Sequence, residues 1–172
     1  MARRPREGTL DDVPAITALV NRAFEIEAFF KRGARTTRSE IAAMMNKGAF
    51  LVIDGAESGS LDACVYVELT GPTVYFGMLA VNPALQGQGL GRSLIETVES
   101  TARRAGCDQV EIHVVNLRTE LVPYYRRLGY VETGRVPFPD DEKITQPCHF
   151  IVMTKAVGAT GAAPEQEQVE ST

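Results

Sequence analysis

The sequence is poor in the residues from which disulfide frameworks and metal centres are built. It contains three cysteines and two histidines. Cys64, Cys107 and Cys148 are far apart and show no C-x-x-C spacing, so neither a disulfide framework nor a zinc site is predicted. His113 and His149 have no further ligands at the usual metal spacing. We therefore expect no metal.

Long apolar runs and clustered positive charge are missing as well. No apolar run approaches the length that spans a bilayer, and none follows the basic start at residues 1–6. These absences argue against a membrane protein and against a secretory signal, and we expect a cytoplasmic location. The formal net charge of −4 argues against a nucleic-acid partner, because phosphate binding needs a clustered positive field.

The residues that are present fit one globular domain. The chain has 172 residues, of which 44% are hydrophobic and 23% are charged, and this is enough to bury one sizeable core. We assign the domain to residues 1–157. Residues 158–172 are small or polar and have little to bury against the cost of ordering, so a disordered C-terminal tail is predicted.

Two capping boxes, each a threonine followed three residues later by an acidic residue, predict helices near the N-terminus. The first box, residues 9–12, starts a helix that runs to about Phe24. The second, residues 37–40, starts a helix that Gly48 is placed to end. The connection between these helices, residues 25–36, has no clear period.

Three strands are predicted next. Residues 49–53 form a short apolar run, and residues 55–60 have the composition of a hairpin loop. Residues 61–69 alternate between apolar and other side chains, which is the pattern of a half-buried strand. Residues 73–81 are almost wholly apolar, as in a central strand covered on both faces.

Helices and strands alternate in the rest of the domain. Residues 90–105 carry an apolar stripe opposite charged side chains and predict an amphipathic helix. Shorter patterns predict a strand, a helix and two strands, over residues 109–115, 120–128, 130–136 and 149–154. The resulting order of elements indicates an α/β domain.

The most informative segment joins the apolar strand to the amphipathic helix. It has the sequence Gln86-Gly87-Gln88-Gly89-Leu90-Gly91 and is followed by Arg92. Glycines let the backbone approach a ligand, and the N–H groups at a helix N-terminus favour a phosphate, so an anion site is predicted. The Rossmann spacing fails because Arg92 stands where its last glycine belongs, and there is no G-K-[ST] of a Walker loop.

The spacing that does fit is Q-x-x-G-x-G, carried by Gln86, Gly89 and Gly91. It resembles the loop of the GNAT superfamily of acetyl-CoA-dependent N-acetyltransferases. Residues 124–130 are similar to the aromatic-Tyr-x-x-x-Gly-aromatic signature of that family, and the resemblance extends over about residues 9–155. It implies a mixed, mostly antiparallel central sheet flanked by about four helices, with acetyl-CoA as co-substrate.

The resemblance also implies which residues contact acetyl-CoA. A bulged strand end pairs with the pantetheine arm, the glycine loop wraps the pyrophosphate, and an asparagine and a tyrosine complete the site. In this sequence the implied contacts are Leu79, Ala80, Val81, Gln86, Gly87, Gln88, Gly89, Leu90, Gly91, Arg92, Asn116 and Tyr125. Pro123 departs from the family pattern and, lacking an N–H, is expected to disturb the start of the helix that carries Tyr125.

Acetyl transfer to an amine needs a neutral nucleophile, a polarised thioester carbonyl and a proton for the departing thiolate. Tyr125 is predicted to supply that proton, since a free thiol has a pKa of about 8.5 and needs only modest help. For the general base we select Glu68, because residues 73–81 lack the glutamate that some family members carry there. Glu111 and His113 are the alternatives.

Direct attack by the amine is expected. Cys148 and His149 are neighbours within a strand pattern, so their side chains point to opposite faces and do not form a nucleophile pair. The implied reaction moves the acetyl group to a primary amine of a small molecule or peptide.

The acceptor is implied to bind at the first two helices and their connection. Carboxylates there could bind a cationic amine and arginines a carboxylate, so the acceptor stays open. The charged and aromatic candidates are Glu25, Glu27, Phe29, Phe30, Lys31, Arg32 and Arg35. The family is compatible with a homodimer. Two rival functions remain: a non-catalytic acetyl-CoA sensor or docking module, and a nucleotide-binding protein that uses the same loop.

Overall fold

A computed structural model describes residues 3–139 and 141–158. The predicted tail, apart from its first residue, lies outside the described residues. Seven strands form one sheet: β1 (Arg6–Glu7), β2 (Ala49–Asp54), β3 (Leu61–Thr70), β4 (Thr73–Val81), β5 (Gln109–Val115), β6 (Val131–Pro137) and β7 (His149–Ala156). Four α-helices occur in the described part: α1 (Val13–Ala23), α2 (Arg38–Met44), α3 (Leu90–Arg104) and α4 (Leu121–Arg127).

The strand order is β1-β2-β3-β4-β5-β7-β6. Neighbouring strands are antiparallel except β4 and β5, which run parallel and are joined through α3. The mixed, mostly antiparallel sheet with four helices confirms the predicted fold class. The edge strand β1 was not predicted, because two charged residues carry no apolar pattern.

The helices cover both faces of the sheet. One apolar cluster joins α1 and α2 to β2 and β3, and a second joins α3 and α4 to residues of β2, β3, β4, β5 and β7. The expectation that β3 is half-buried is wrong, since residues 61–66 are all buried. Helices pack on both sides of this strand, and the polar Asp62 is accommodated by an ion pair with Arg3.

Both capping boxes are present, as predicted. In the second, the Glu40 backbone N–H donates to Thr37 Oγ1 at 3.1 Å and the Thr37 N–H donates to Glu40 Oε1 at 3.0 Å. In the first, the Thr9 N–H donates to Asp12 Oδ2 at 2.8 Å ahead of α1. Residues 24–29, in the connection that shows no period, form a 3-10 helix. No helix of the described chain is long and apolar enough to cross a membrane.

Candidate active site

The parallel pair β4 and β5 opens into a cleft. Within the described strands, pairing stops after Tyr75 and Glu111, three residues along, although both strands continue. On its other edge β4 has a bulge, because its pairing with β3 shifts register between Cys64 and Tyr66. Met78 lies at this bulge with a φ of 52°, a left-handed conformation that is uncommon for a side chain other than glycine.

The divergence leaves an elongated cleft of about 660 Å³. It runs from the glycine loop, along the end of β4 and the middle of β5, to the segment between α1 and α2. Backbone groups of β4 that face away from β3 are not paired with β5 beyond Tyr75 among the described residues. An extended ligand can therefore form hydrogen bonds with this edge in place of a strand.

The glycine loop closes one end of the cleft. Gly87 and Gly89 have φ angles of 84° and 86°, which glycine adopts without a steric penalty. Gly89 is the N-cap of α3, has no side chain to cap it, and its carbonyl accepts the first helical bond, from the Ser93 N–H at 2.9 Å. The N–H groups of residues 90–92 therefore have no partner within the helix, and groups in this position can bind an anion.

Tyr125 lies on α4 in the wall of the cleft. Its side chain is buried and packs against Phe76, Tyr124 and Tyr130, with ring centroids 5.1–6.3 Å apart. Its hydroxyl makes no hydrogen bond with another described residue, so a buried polar atom that lines the cleft lacks a protein partner. Burial raises the pKa of this phenol well above its usual range, which keeps it protonated.

Pro123 does not prevent α4 from forming. As the third residue of the helix, it occupies a position whose N–H would lack an intrahelical partner in any case. The Tyr124 N–H to Glu120 carbonyl distance is 3.4 Å, a long bond that marks the local disturbance. The expected disturbance is therefore confined to the first turn.

A buried ion pair supports the other end of the cleft. Arg118 Nη1 lies 3.1 Å from Glu27 Oε2, and their side chains are 16% and 8% exposed. Arg118 Nε also contacts Glu120 Oε2 at 2.8 Å. Burial raises the pKa of Glu27 despite the opposing effect of the nearby Arg35 and Arg118.

Arg35 lines the same end of the cleft but packs on an aromatic ring and forms no ion pair with a described carboxylate. Its guanidinium lies 5.2 Å from the centre of the Phe24 ring, a cation–π contact. No carboxylate among the described residues forms an ion pair with it. Arg35, Phe24 and Glu27 also border a second cavity of about 300 Å³ between α1 and α2.

The floor of this end is formed by Tyr75 and His113. Tyr75 lies over Gly77, where a Cβ would come within 2.5 Å of the Tyr75 hydroxyl, so a residue with a side chain would displace the ring. His113 lies 5.1 Å from the Tyr75 ring centroid, and its Nε2 lies 2.8 Å from Glu111 Oε2. Tyr75 and His113 both line the cleft.

The glycine loop, the opened strand pair and the cleft tyrosine agree with the comparison against protein families. Residues 16–130 match the model of the acetyltransferase (GNAT) family. The chain belongs to the GNAT family of acetyltransferases. A curated relative, the uncharacterized protein YdhI of Bacillus subtilis, is 23% identical over 74 residues, which make up 43% of this chain and 45% of the relative. The chain thus spans a little under half the length of this curated relative.

Solved structures of GNAT proteins share the fold at low identity. The ribosomal-protein-S18-alanine N-acetyltransferase from Escherichia coli has a TM-score of 0.73 and 17% identity over 96% of this chain and 100% of that one. A GNAT phosphinothricin acetyltransferase from Sinorhizobium meliloti, in complex with AcCoA, has a TM-score of 0.72 and 16% identity over 98% and 96%.

Most of the predicted acetyl-CoA contacts line the cleft of this GNAT domain. The lining includes Leu79, Ala80, Val81, Gln86, Gly87, Gly89, Leu90, Gly91, Arg92 and Tyr125. Gln88 belongs to the loop but not to the lining. Asn116 is also outside the lining: its Oδ1 accepts the His149 backbone N–H at 2.8 Å, and its own N–H donates to the His149 carbonyl at 3.0 Å. Its cofactor contact stays a prediction.

The predicted base candidates lie at different distances from the cleft. Glu68 is not part of the lining; it pairs with Tyr75 across β3 and β4, and its Oε1 accepts the Tyr66 hydroxyl at 2.7 Å. His113 is part of the lining, and Glu111 lies behind it.

Several lining residues carried no sequence signal. They come from β4, the β5–α4 loop, the end of α4, the segment after β6, and β7. In that order they are Tyr75, Arg118, Arg127, Phe138 and Phe150. Each reads as ordinary core or surface in the sequence, because the residues that surround it are far away along the chain.

Proposed function

We propose that this GNAT domain transfers the acetyl group of acetyl-CoA to a primary amine of a small molecule or peptide, by direct attack in a ternary complex. The observation that carries the proposal is the buried Tyr125 hydroxyl, which lines the cleft and forms no hydrogen bond with any other residue in the described part of the chain. A structural tyrosine at this depth normally has a partner, as Tyr130 has in Glu99 at 2.8 Å.

The described residues fit acetyl-CoA. The N–H groups of residues 90–92 and the loop glycines would hold the pyrophosphate, with Arg92 on the adjacent turn. The unpaired edge of β4 at residues 79–81 would pair with the pantetheine arm. When bound, acetyl-CoA supplies an acetyl group activated as a thioester.

Tyr125 would act on the sulfur. As the amine nitrogen forms its bond to the acetyl carbon, the thioester C–S bond breaks and its electron pair passes to the sulfur. The Tyr125 hydroxyl donates a hydrogen bond and then a proton to that sulfur, and the phenolate takes up a proton from solvent at once. Because burial keeps the phenol protonated, the donor is available over the whole physiological pH range. Direct attack needs no cysteine, and Cys64 is buried with its thiol pKa raised to about 12, which makes it a poor nucleophile.

His113 is our candidate for the acceptor of the amine proton. It lines the cleft, and its Nε2 lies 2.8 Å from Glu111 Oε2, a contact that would orient the ring. Glu68, the base selected from the sequence, is one strand further from the cleft and would need to act through water or through Tyr75.

Release of free CoA tests the proposal. The purified protein is incubated with acetyl-CoA and a thiol reagent across amines, amino acids, polyamines and short peptides. Release that depends on one amine class is expected. Tight acetyl-CoA binding without release on any amine would instead favour a sensor, and protection by ATP or NAD but not by acetyl-CoA against thermal unfolding would favour a nucleotide-binding protein.

A further inference from the structure

The acceptor end of the cleft, around Glu27, Arg35 and His113, contains a cation that forms no ion pair with a described carboxylate. Arg35 lies on the cleft wall, partly buried, and is held from below by the Phe24 ring at 5.2 Å. None of the described carboxylates forms an ion pair with it, and no described residue accepts a hydrogen bond from it. A guanidinium has five donors, so Arg35 can still bind an anion through two parallel hydrogen bonds.

Arg118 also lines this end of the cleft, but its guanidinium is bound to carboxylates of the protein. Its Nη1 contacts Glu27 at 3.1 Å and its Nε contacts Glu120 at 2.8 Å. The Glu27 carboxylate is therefore engaged by Arg118, and it does not neutralise Arg35 by direct contact. Both arginines line the cleft, but the guanidinium of Arg118 forms ion pairs with two carboxylates, whereas that of Arg35 forms none with a described residue.

A second polar group lines this end of the cleft. The His113 imidazole lies 5.1 Å from the Tyr75 ring centroid, and its Nε2 lies 2.8 Å from Glu111 Oε2. The lining thus offers a guanidinium at Arg35 to an anionic group and an imidazole at His113 to an amine. These two side chains match a ligand that carries both an anionic group and an amine.

Apolar side chains complete the same end. Phe24, Phe138 and Phe150 line the cleft near Arg35 and His113, and the His113 and Phe150 ring centroids are 5.8 Å apart. They provide a surface for an apolar group but no further charge.

Building on the proposed acetyl transfer, we propose that the acceptor is an α-amino acid with an apolar side chain, whose carboxylate binds Arg35 and whose amine faces His113. The carboxylate of the substrate then forms the ion pair with Arg35 that no described residue forms. The amine lies where His113 can receive its proton. Arg35 is a specificity-determining residue under this proposal, because an amine without a carboxylate leaves it unsatisfied.

The test compares leucine, methionine and phenylalanine with their amides as acceptors in the CoA-release assay. The amide replaces the carboxylate by a neutral group of similar size but also changes the basicity of the amine. The informative quantity is therefore the change in the acid-to-amide ratio of kcat/KM between the natural protein and Arg35→Met. Methionine keeps an unbranched apolar chain over Phe24 and removes the guanidinium. We expect the ratio to fall roughly 30-fold, mainly through KM of the acid.

Arg38→Met is the matched control. Arg38 is exposed at the start of α2 and does not line the cleft, so its removal should leave the ratio unchanged. An acid-to-amide ratio that is the same in the natural protein and in Arg35→Met would overturn the proposal.

A binding measurement separates this proposal from the proposed function. Calorimetry compares N-acetylleucine with N-acetylleucinamide in the presence of CoA, for the natural protein and for Arg35→Met. If no amine releases CoA but N-acetylleucine binds more tightly than its amide and loses that advantage in Arg35→Met, acetyl transfer fails and the carboxylate site stands. If neither release nor a difference in binding is found, both proposals fail.

Discussion

The two ends of the cleft differ in whether backbone groups or side chains form them. The glycine-loop end consists mostly of backbone: the N–H groups of residues 90–92, two glycines with positive φ and the unpaired edge of β4. The acceptor end consists of side chains from α1, the α1–α2 connection, β4, β5 and the loop after β5. A backbone site depends on local conformation, whereas a side-chain site depends on how distant segments pack. Substitutions should therefore affect the two ends separately.

The buried pair at the acceptor end gives the largest expected effect. Arg118→Met leaves Glu27 buried without its partner and should lower the free energy of unfolding by about 3 kcal/mol. The acceptor KM should rise, and the Kd of acetyl-CoA should stay nearly unchanged. Urea unfolding measures the free energy, the CoA-release assay the KM and calorimetry the Kd.

Arg126→Met provides the control for that substitution. Its ion pair with Glu132 is exposed, at 59% and 47%, and its loss should cost at most about 0.5 kcal/mol. Equal destabilisation by the two substitutions would show that the Glu27–Arg118 pair does not support the acceptor end. The double variant Glu27→Gln, Arg118→Met should recover much of the stability.

Tyr125→Phe should leave ligand binding at both ends of the cleft nearly unchanged but slow acetyl transfer. We expect kcat to fall about 100-fold with little change in the Kd of acetyl-CoA, because the lost hydroxyl has no hydrogen-bond partner among the residues that the structure describes. Tyr130→Phe is the matched control: it removes the bond to Glu99 and should cost about 1 kcal/mol of stability while kcat is retained. Unchanged kcat in Tyr125→Phe would remove this residue from the mechanism.

Gly89→Ala tests the backbone end. Alanine disfavours the φ of 86°, so the N–H groups of residues 90–92 should turn away from the pyrophosphate, and the Kd of acetyl-CoA should rise roughly tenfold. The acid-to-amide preference at the other end should persist. Gly59→Ala imposes the same strain, at a φ of 80° with open space around it, far along the chain in the β2–β3 hairpin. It should leave the Kd unchanged, and an equal rise in both variants would contradict a specific role for the loop.

The smallest expected effect is a pH dependence at Glu27. Because burial raises the pKa of Glu27 in the folded protein, the folded state holds its proton above the unfolded value of about 4.3. The stability that Glu27 contributes is present below that pH and is lost as the pH rises through the folded pKa. The unfolding free energy of the natural protein minus that of Glu27→Gln should therefore decrease from pH 4 upward.

Asp12→Asn should show the opposite sign in the same measurement. The hydrogen bonds from Arg6 lower the pKa of Asp12, so its contribution is present above about pH 3.9 and is lost as the pH falls. If the difference in unfolding free energy between the natural protein and Glu27→Gln did not change with pH, burial would not destabilise the Glu27 carboxylate.

The elements with strong local signals could be predicted from the sequence. The capping boxes placed α1 and α2 because a cap is a contact between residues three apart, and the 3.6-residue period placed α3. Burial of β3 on both faces was missed, because alternation reports the polarity of side chains and not which helices pack against the second face. Asp62 is the example: a charged residue that reads as exposed is buried beside Arg3.

The sequence by itself determined the family, the strand–loop–helix with its anion site, and the position of Tyr125, since each depends on residues within one short segment of chain. Tertiary structure decided the acceptor end. It brought Arg35, Tyr75 and His113 to the lining of one cleft, paired Glu27 with Arg118, and placed Glu68 one strand away. The physical reason is that a guanidinium or carboxylate acquires its partner, and a side chain its burial, from distant segments, as Arg118 does from Glu27, 91 residues away along the chain.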